Sequence, residues 1–295
     1  MTKTFVVAGA TGRQGSATAR HLINAGHRVI GITHSPSKVP RIESMGGAPL
    51  IADLRDSAKL IGNLKGVDGF FLVTDPFSRI KETDDVDVWV KDEVLQGEQA
   101  LDAARKANVP QVVLGSVSHV GSDEGLRKYG LLIHKTKLEV EKRANELGLS
   151  YTSLRPPFFL DDWIPSSVFP TPSWMESGRL EAAVRADTPI PHIATDDIGR
   201  IAAWSFDHPH ESIGQAWEIV GEVTTYPSIC RTLSEHYHRQ IVFKEIPESE
   251  DGFLFHRALV RTVYTWDAGQ WERKFGLKMT TFEEFLRRLP PSSPC

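Results

Sequence analysis

Cysteine is nearly absent from this chain of 295 residues, which contains only Cys230 and Cys295. Two cysteines so far apart supply neither a disulfide framework nor the spacing of a metal site, and their scarcity is typical of a reducing compartment. We expect Cys230 to be a small buried residue of a helix. The Pro- and Ser-rich tail that ends in Cys295 is expected to be disordered.

Long apolar runs and runs of one charge are also missing. No stretch approaches the ~18 apolar residues that a membrane-spanning helix requires, and the apolar run after Lys3 breaks at Gly9, too early for a signal peptide. The 34 basic residues face 38 acidic ones, for a net charge of −4, which argues against a broad nucleic-acid or membrane footprint. We therefore expect a soluble, cytoplasmic protein with a small-molecule partner, and leave an oligomer open.

The first half of the chain alternates short apolar runs with helical stretches. Strands are predicted at 5–8, 28–33, 48–51, 69–73, 111–114 and 151–154, with helices at 13–25, 37–45, 56–64, 86–108 and 131–147. Strands that are apolar throughout indicate a parallel sheet covered on both faces. The βαβ rhythm predicts an α/β fold with a doubly wound parallel Rossmann sheet.

The rhythm breaks after Pro156, where a proline-rich and aromatic segment begins. We predict a nucleotide-binding domain over residues 1–155, with a returning segment near 190–221, and a smaller mixed C-terminal substrate lobe within 156–295. A strand is expected at 216–220 and a last helix at 281–289. The pair Asp196-Asp197 is predicted to cap a helix that starts at Ile198. The pair His236-x-His238 lacks partners at ligand spacing, so no metal site is predicted.

Three glycines spaced as G-x-x-G-x-x-G follow the first predicted strand, and helix-forming residues come directly after them. Gly9 can adopt backbone angles closed to other residues, Gly12 lets the chain approach a phosphate, and Gly15 lets the helix pack near the strand. The N–H groups and the positive dipole end of a helix N-terminus attract an anion. The pattern predicts a dinucleotide-binding loop, with an ordinary tight turn as the alternative.

No carboxylate follows the second predicted strand, where folds that prefer NAD usually place an acid for the ribose 2′-hydroxyl. His34, Ser35 and Lys38 stand there instead, and Arg13 lies in the glycine loop. These side chains could donate to a 2′-phosphate, so NADP is predicted over NAD. The alternative for each basic residue is a solvated surface charge.

Five motifs follow one another along the chain between residue 4 and about residue 225. They are Gly9-Ala-Thr-Gly-Arg-Gln-Gly15, Asp53-Leu54, Val73-Thr74, Leu154-Arg-Pro-Pro-Phe-Phe159 and Thr195-Asp-Asp-Ile-Gly199. Together, and in this order, they resemble the NmrA-like group of atypical short-chain dehydrogenases. The group includes isoflavone-type reductases, quinone and iminium reductases, and non-catalytic redox sensors. The resemblance implies a Rossmann domain, a smaller lobe and a substrate cleft between them, without specifying a reaction.

The resemblance also assigns residues around the cofactor. It implies an acid near the adenine at Asp53, a contact with the nicotinamide ribose at Thr74, and a loop against the nicotinamide ring at Pro156. The alternatives are a loop or N-cap role for Asp53 and a hydroxyl satisfied by backbone for Thr74. The full predicted cofactor set is Gly9, Thr11, Gly12, Arg13, Gln14, Gly15, His34, Ser35, Lys38, Asp53, Leu54, Thr74, Lys137, Pro156 and Phe158.

A tyrosine is missing where typical short-chain dehydrogenases carry one. Those enzymes place a Tyr four residues before a Lys on one helix face, and the lysine charge lowers the tyrosine pKa. Here Lys137 falls on the family lysine and Ile133 on the tyrosine position. The remaining catalytic candidates are Lys137, Ser116 after the fifth strand, and His134 and Tyr129 as fallback proton donors. The alternatives are a solvated lysine, simple turn chemistry for Ser116, and structural roles for the other two.

Loss of the tyrosine changes which reduction is easiest. Carbonyl reduction needs a proton delivered to oxygen, whereas an iminium carbon or a conjugated acceptor can take a hydride with weaker acid assistance. An apolar set in the proline-rich segment suits a flat substrate, unless it simply forms the seam between the lobes. The predicted substrate-binding residues are Phe159, Trp163, Phe169, Trp174 and Met175.

We therefore predict an NADP-dependent reductase of a small, largely apolar aromatic or heterocyclic acceptor in specialised metabolism. The acceptor would be an iminium, an enone or a quinone. The alternative is a non-catalytic redox sensor that binds NADP and acts through a protein partner. A nucleotide-sugar epimerase is disfavoured because it needs the Tyr-x-x-x-Lys pair.

Overall fold

The computed structural model describes residues 1–75, 85–118, 132–164, 173–247, 249–250 and 266–289. These residues divide into two compact units. The first unit takes the described residues of Met1–Gly121, Leu132–Arg155 and Thr195–Glu218. The second unit takes those of Pro156–Ala194 and Ile219–Cys295. In these ranges no helix combines the length and the apolar character needed to cross a membrane.

Seven described strands form an all-parallel sheet in the first unit. They are β1 (Thr4–Val7), β2 (Arg28–Thr33), β3 (Ala48–Ile51), β4 (Gly69–Val73), β5 (Val112–Gly115), β6 (Tyr151–Arg155) and β10 (Ala216–Glu218). Their order across the sheet is β10-β6-β5-β4-β1-β2-β3. The strand order reverses beside β1, and ligands of such sheets bind at the carboxyl edge of that switch point. The predicted doubly wound parallel sheet is confirmed.

Helices of the first unit alternate with these strands along the chain. They are α1 (Arg13–Asn24), α2 (Val39–Ser44), α3 (Ser57–Leu64), α4 (Val86–Lys106), α5 (Leu132–Glu146), α7 (Thr195–Asp207) and α8 (Pro209–Ser212). The helix predicted at 37–45 is divided into a short 3-10 turn, Pro36–Lys38, and α2, each with a proline in its first two positions. The predicted cap at Asp196-Asp197 is wrong, because α7 already begins at Thr195.

The sheet is covered on both faces, as its apolar strands predict. Helices α3, α4 and α5 contribute Leu60, Leu101 and Val140 to one buried cluster with the strands. Helix α7 lies directly on α1, because a Cβ added to Gly199 would stand 2.4 Å from the carbonyl carbon of Ala17. With both faces covered, a ligand is expected at the carboxyl ends of the strands, as in other open α/β sheets.

The second unit has its own small sheets and its own core. Strands β7 (Phe158–Phe159), β9 (Ile190–Ile193) and β11 (Glu222–Thr224) form one sheet, and β8 (Arg179–Ala182) pairs with β12 (Val242–Glu245). Its helices are α6 (Ser173–Ser177), α9 (Tyr226–Tyr237), α10 (Gln270–Phe275) and α11 (Phe282–Arg287). Cys230 is buried in α9, which confirms its predicted packing role.

Candidate functional site

The loop between β1 and α1 makes a tight turn at the carboxyl edge of the sheet. Gly9 has φ +59°, in the left-handed region that favours glycine. The Gly12 N–H donates to the Gly9 carbonyl oxygen at 2.8 Å. A Cβ on Gly15 would lie 2.2 Å from that same oxygen, so a side chain there cannot be accommodated without moving the backbone. The turn therefore depends on glycine at positions 9 and 15.

Helix α1 begins directly after this turn with an N-terminus suited to an anion. Its N-cap, Gly12, has no side chain to bond the first-turn amides, and the first turn contains no acidic residue. Gln14, also in this first turn, is partly buried. First-turn amides and the positive end of the helix dipole attract phosphate. This cradle fits the pyrophosphate of a dinucleotide.

The residues after β2 include three of the candidate 2′-phosphate donors. His34 and Lys38 are exposed and Ser35 is partly buried, and its hydroxyl lies 2.9 Å from that of Ser37. No carboxylate occurs between Thr33 and Lys38. These residues lie at the carboxyl edge of the sheet, on the strand next to β1, where a ligand is expected. Exposed side chains are equally typical of solvated surface charges. The assignment of these residues to a 2′-phosphate therefore stays a prediction.

Asp53, after β3, is held by a neighbouring arginine. The Arg55 guanidinium donates to Asp53 at 2.6 Å and to Asp92 at 2.6 Å. The hydrogen bond from Arg55 lowers the pKa of Asp53. The N-cap of α3 is Asp56, which accepts the Lys59 N–H at 3.0 Å, so the alternative cap role for Asp53 is wrong. The adjacent Leu54 packs on the core of the first unit.

Lys137 takes part in a buried ion pair that its sequence pattern did not predict. Its Nζ lies 2.8 Å from Oε1 of Glu93, and the side chains are 6% and 0% exposed. Nζ also donates to the Thr74 carbonyl oxygen at 3.0 Å and to the Thr74 hydroxyl at 2.7 Å. That hydroxyl donates to Glu93 at 2.8 Å, and the Thr136 hydroxyl donates to Glu93 as well. The predicted solvated-lysine alternative is therefore wrong.

Ser116 belongs to a second buried carboxylate cluster. Its hydroxyl donates to Oε1 of Glu141 at 2.6 Å, and the Ser153 hydroxyl donates to the same oxygen at 2.5 Å. Arg155 donates to the other oxygen at 2.6 Å. Burial lowers the pKa of Arg155, but hydrogen bonding to Glu141 and the Glu141 charge outweigh it, and the pKa is raised. Glu141, like Glu93, was missed because a glutamate in an amphipathic helix is usually solvated.

A cavity of about 10 Å³, room for about one water molecule, lies between the two clusters within the first unit. Both clusters lie where β4, β5 and α5 meet, near the carboxyl ends of the two strands. The lining residues combine apolar side chains with the polar groups described above. They are Leu72, Thr74, Leu114, Gly115, Ser116, Lys137, Val140 and Glu141.

The two remaining candidates for catalysis are the fallback proton donors, His134 and Tyr129. His134 is buried in the first turn of α5, one turn before Lys137. Ile133 stands in that same turn, so the tyrosine position of the helix is filled by an aliphatic residue. Tyr129 and Phe169 lie outside the described residues.

Three of the predicted substrate-binding residues have packing roles in the second unit. Trp174 and Met175 are 1% and 8% exposed in its core, and the Trp174 ring packs on Tyr237. Burial of this extent leaves Trp174 no surface for a ligand. The partly buried Trp163 donates its indole N–H to Nε2 of His192 at 3.0 Å. Phe159 is partly buried in β7.

Burial keeps His192 neutral, although its hydrogen bond to the Ile190 carbonyl favours the protonated ring. Its Nδ1 lies 3.2 Å from the Ile190 carbonyl oxygen, to which only an N–H can donate, while Nε2 accepts from Trp163. Complete burial lowers the pKa of His192 to about 3. The ring of Phe158 lies 5.8 Å from the imidazole, between centroids. Pro156, at the start of this unit, is buried.

Comparisons with known proteins agree with this architecture. A relative from Cladobotryum sp., the NmrA-like family domain-containing oxidoreductase FrzB, is 24% identical over 277 residues, covering 87% of this chain and 80% of the relative. The structure of the Escherichia coli NADPH-dependent quinone oxidoreductase QOR2 with NADPH has a TM-score of 0.76 at 19% identity, over 96% of this chain and 98% of that one.

A regulatory protein has a similar fold. The structure of NMRA, a negative transcriptional regulator, in complex with NADP has a TM-score of 0.71 at 16% identity, over 98% of this chain and 95% of that one. A family model described as NmrA-like matches residues 1–254. The resemblance inferred from the motifs is confirmed: the chain belongs to the NmrA-like family.

Proposed function

We propose that this protein binds NADP(H) and reduces a small, largely apolar acceptor. The observation that carries the proposal is the turn at Gly9 and Gly15, which leads into a helix N-terminus without a side-chain cap or an acidic residue. Such an N-terminus at the switch point of a parallel sheet is suited to a pyrophosphate. The relative named an oxidoreductase and the NADPH-bound quinone oxidoreductase support the reductase reading.

The chain offers a set of groups for each part of the cofactor. The glycine loop, with Thr11 and Gln14, would hold the pyrophosphate. The basic set of Arg13, His34, Ser35 and Lys38 would receive the 2′-phosphate, and Asp53 and Leu54 would lie near the adenine. Thr74 and Lys137 would meet the nicotinamide ribose, and Pro156 and Phe158 the nicotinamide ring. All these assignments are proposals.

A bound NADPH supplies a hydride, and the chain supplies position, charge and exclusion of water. Ile133 removes the usual proton donor, which favours an iminium, an enone or a quinone over a simple ketone. We propose that the second unit, with Phe159, Trp163 and Phe169, binds the apolar acceptor. The predicted cytoplasmic location and a role in specialised metabolism accompany this proposal.

A second candidate is a redox sensor that binds NADP and acts through a protein partner. It is favoured by the match to a transcriptional regulator solved with NADP. It is also favoured by the engagement of Lys137 with Glu93 and Thr74, because a lysine held in this way has a structural role that needs no catalysis. The enzyme is preferred because the relative that matches over 87% of this chain is named an oxidoreductase.

The experiment that tests the proposal measures binding and turnover separately. NADPH binding is followed by calorimetry, and NADPH oxidation by absorbance with panels of quinones, enones and cyclic iminium ions. Saturable NADPH binding together with oxidation by at least one panel supports the reductase. Binding without turnover in any panel contradicts the reductase and favours the sensor.

A further inference from the structure

We propose that Arg55 and Asp92 are positioning residues for the cofactor, which hold the Asp53 carboxylate so that it accepts a hydrogen bond from the amino group of adenine. The inference rests on the proposed binding of NADP(H) and deepens it. The family motif Asp53-Leu54 stops before Arg55, and Asp92 lies on α4, outside the motifs. All of these residues belong to the first unit.

Arg55 takes up most of the hydrogen-bonding capacity of the Asp53 carboxylate. An ionised carboxylate has about four lone-pair sites. Oδ1 of Asp53 accepts the Arg55 backbone N–H at 2.9 Å and Nε at 2.8 Å, and Oδ2 accepts Nη2 at 2.6 Å. With these three bonds from the described residues, one acceptor site is left on Oδ2, in a side chain that is 40% exposed. Asp53 can therefore take one further donor, from a ligand.

The contact with Arg55 also fixes the direction of that remaining site. Nε and Nη2 of Arg55 form a fork of two parallel bonds to the carboxylate, a geometry that holds both groups in defined orientations. The hydrogen bond from Arg55 lowers the pKa of Asp53, so the carboxyl group is ionised at neutral pH and only accepts. A carboxylate that is already oriented loses little rotational freedom when a ligand binds, which favours binding.

Arg55 is in turn anchored to helix α4. Its Nη1 donates to Oδ1 of Asp92 at 2.6 Å, and the Asp92 side chain is only 6% exposed. The other Asp92 oxygen accepts Nε2 of Gln96, one turn further along the helix, at 2.9 Å. The Gln96 amide accepts the backbone N–H of Asp75 and donates to the Asp75 carbonyl oxygen, both at 3.2 Å. The chain segments after β3 and β4 are therefore tied to one helix by buried polar groups.

The position and the chemistry of the remaining acceptor site suit adenine. Strand β3 lies beyond β2 in the sheet order, so its carboxyl end lies past the residues proposed for the 2′-phosphate, where the base is expected. The 6-amino group of adenine is a donor, whereas hypoxanthine has a carbonyl oxygen at the same position. That oxygen would face the carboxylate without a proton between them. A site built to bind a donor rejects an analogue that lacks it.

The test compares NADPH with reduced nicotinamide hypoxanthine dinucleotide phosphate, which differs only in this replacement of the 6-amino group by oxygen. Both are titrated by calorimetry into the full chain, and the readout is the ratio of the two Kd values. For the natural sequence we expect NADPH to bind about tenfold tighter or more. Asp53→Ala should bring the ratio close to one, the value of a site that does not distinguish the two bases.

Variants of Arg55 and Asp92 test the positioning role. Asp92→Asn keeps the shape and removes the charge that anchors Arg55, so the ratio should fall at least threefold while NADPH still binds. Arg55→Lys, at a more exposed position, keeps the charge but cannot form the fork, and the ratio should fall at least as far. The control is Asp102→Asn on the same helix, where Asp102 pairs with Arg143 at 2.8 Å. It should leave the ratio unchanged.

The outcomes separate this inference from the proposed function. Equal affinity of the natural sequence for the two cofactors overturns the inference and leaves NADP(H) binding in place. A ratio that is lost in Asp53→Ala but unchanged in both Asp92→Asn and Arg55→Lys overturns the positioning role, as does an equal fall in the Asp102→Asn control. Absence of saturable NADPH binding to the natural sequence overturns the proposed function, and the inference falls with it.

Discussion

The buried pair of Glu93 and Lys137 should be one of the costliest side-chain interactions to break in the first unit. Both side chains are almost fully buried, 0% and 6% exposed, and lie 2.8 Å apart. Removing one partner leaves a charge without compensation away from water, which costs about 3–5 kcal/mol. Glu93→Leu and Lys137→Met should therefore each lower the free energy of unfolding by about that amount.

The double variant Glu93→Leu/Lys137→Met should be far less destabilised than the sum of the two single variants. It leaves no buried charge at these two positions, and its remaining cost is the Thr74 hydroxyl, which loses its carboxylate acceptor, about 1–3 kcal/mol. The coupling energy between the two positions should reach about 3 kcal/mol.

Urea unfolding at pH 7 measures these values as shifts of the midpoint at constant slope. The matched control is Glu139 with Lys142 on the same helix, a pair 42% and 52% exposed at 2.8 Å. Exposed pairs of this kind contribute about 0.3–0.5 kcal/mol. Single variants of the buried pair that cost less than about 1 kcal/mol, or a coupling no larger than that of the control, would refute the reasoning.

Three further predictions follow from other parts of the molecule. The double variant Arg13→Ala/Lys38→Ala should weaken NADPH binding about tenfold more than NADH binding in calorimetry, since charge-assisted hydrogen bonds to the 2′-phosphate would be lost; equal losses contradict the assignment. Burial lowers the pKa of His192 from 6.5 to about 3, so the unfolded chain binds the proton more readily, and stability should fall by about 2 kcal/mol between pH 8 and pH 5. His192→Gln should remove that part of the pH dependence in urea unfolding. Gly199→Ala should cost about 1–3 kcal/mol by overpacking α1 against α7, whereas Gly62→Ala, inside helix α3 with open space around its Cβ position, should raise the stability by about 0.5–1 kcal/mol.

The strands of the first unit were predictable because buried parallel strands are short, continuous apolar runs. The predicted bounds of β2, β3 and β4 agree with the structure, and those of β1 are displaced by one residue. The glycine loop was predictable for a related reason: the turn at Gly9 and the contact at Gly15 restrict which residue can stand there. Local constraints of this kind can be read from neighbouring residues alone.

The two buried carboxylate clusters around Lys137 and Ser116 could not be predicted in the same way. Glu93 and Glu141 are buried only because α4, α5 and the ends of β4 and β6 meet in space, and a glutamate on a helix usually faces water. Trp174 was misjudged for the opposite reason. An aromatic residue in a proline-rich segment suggests a substrate-binding surface, but Trp174 is part of the hydrophobic core of the second unit.

Binding of a dinucleotide by the glycine loop is the central claim, and calorimetric titration of NADPH into the Gly12→Ala variant tests it most directly. A Cβ on Gly12 would lie 3.2 Å from the Gly9 carbonyl oxygen, a contact that a small shift relieves, yet it would stand where the phosphates approach the chain. The account predicts saturable binding to the natural sequence and to the Gly62→Ala control, and at least tenfold weaker binding to Gly12→Ala. Equal NADPH affinity in all three proteins, or no saturable binding to the natural sequence, would contradict it.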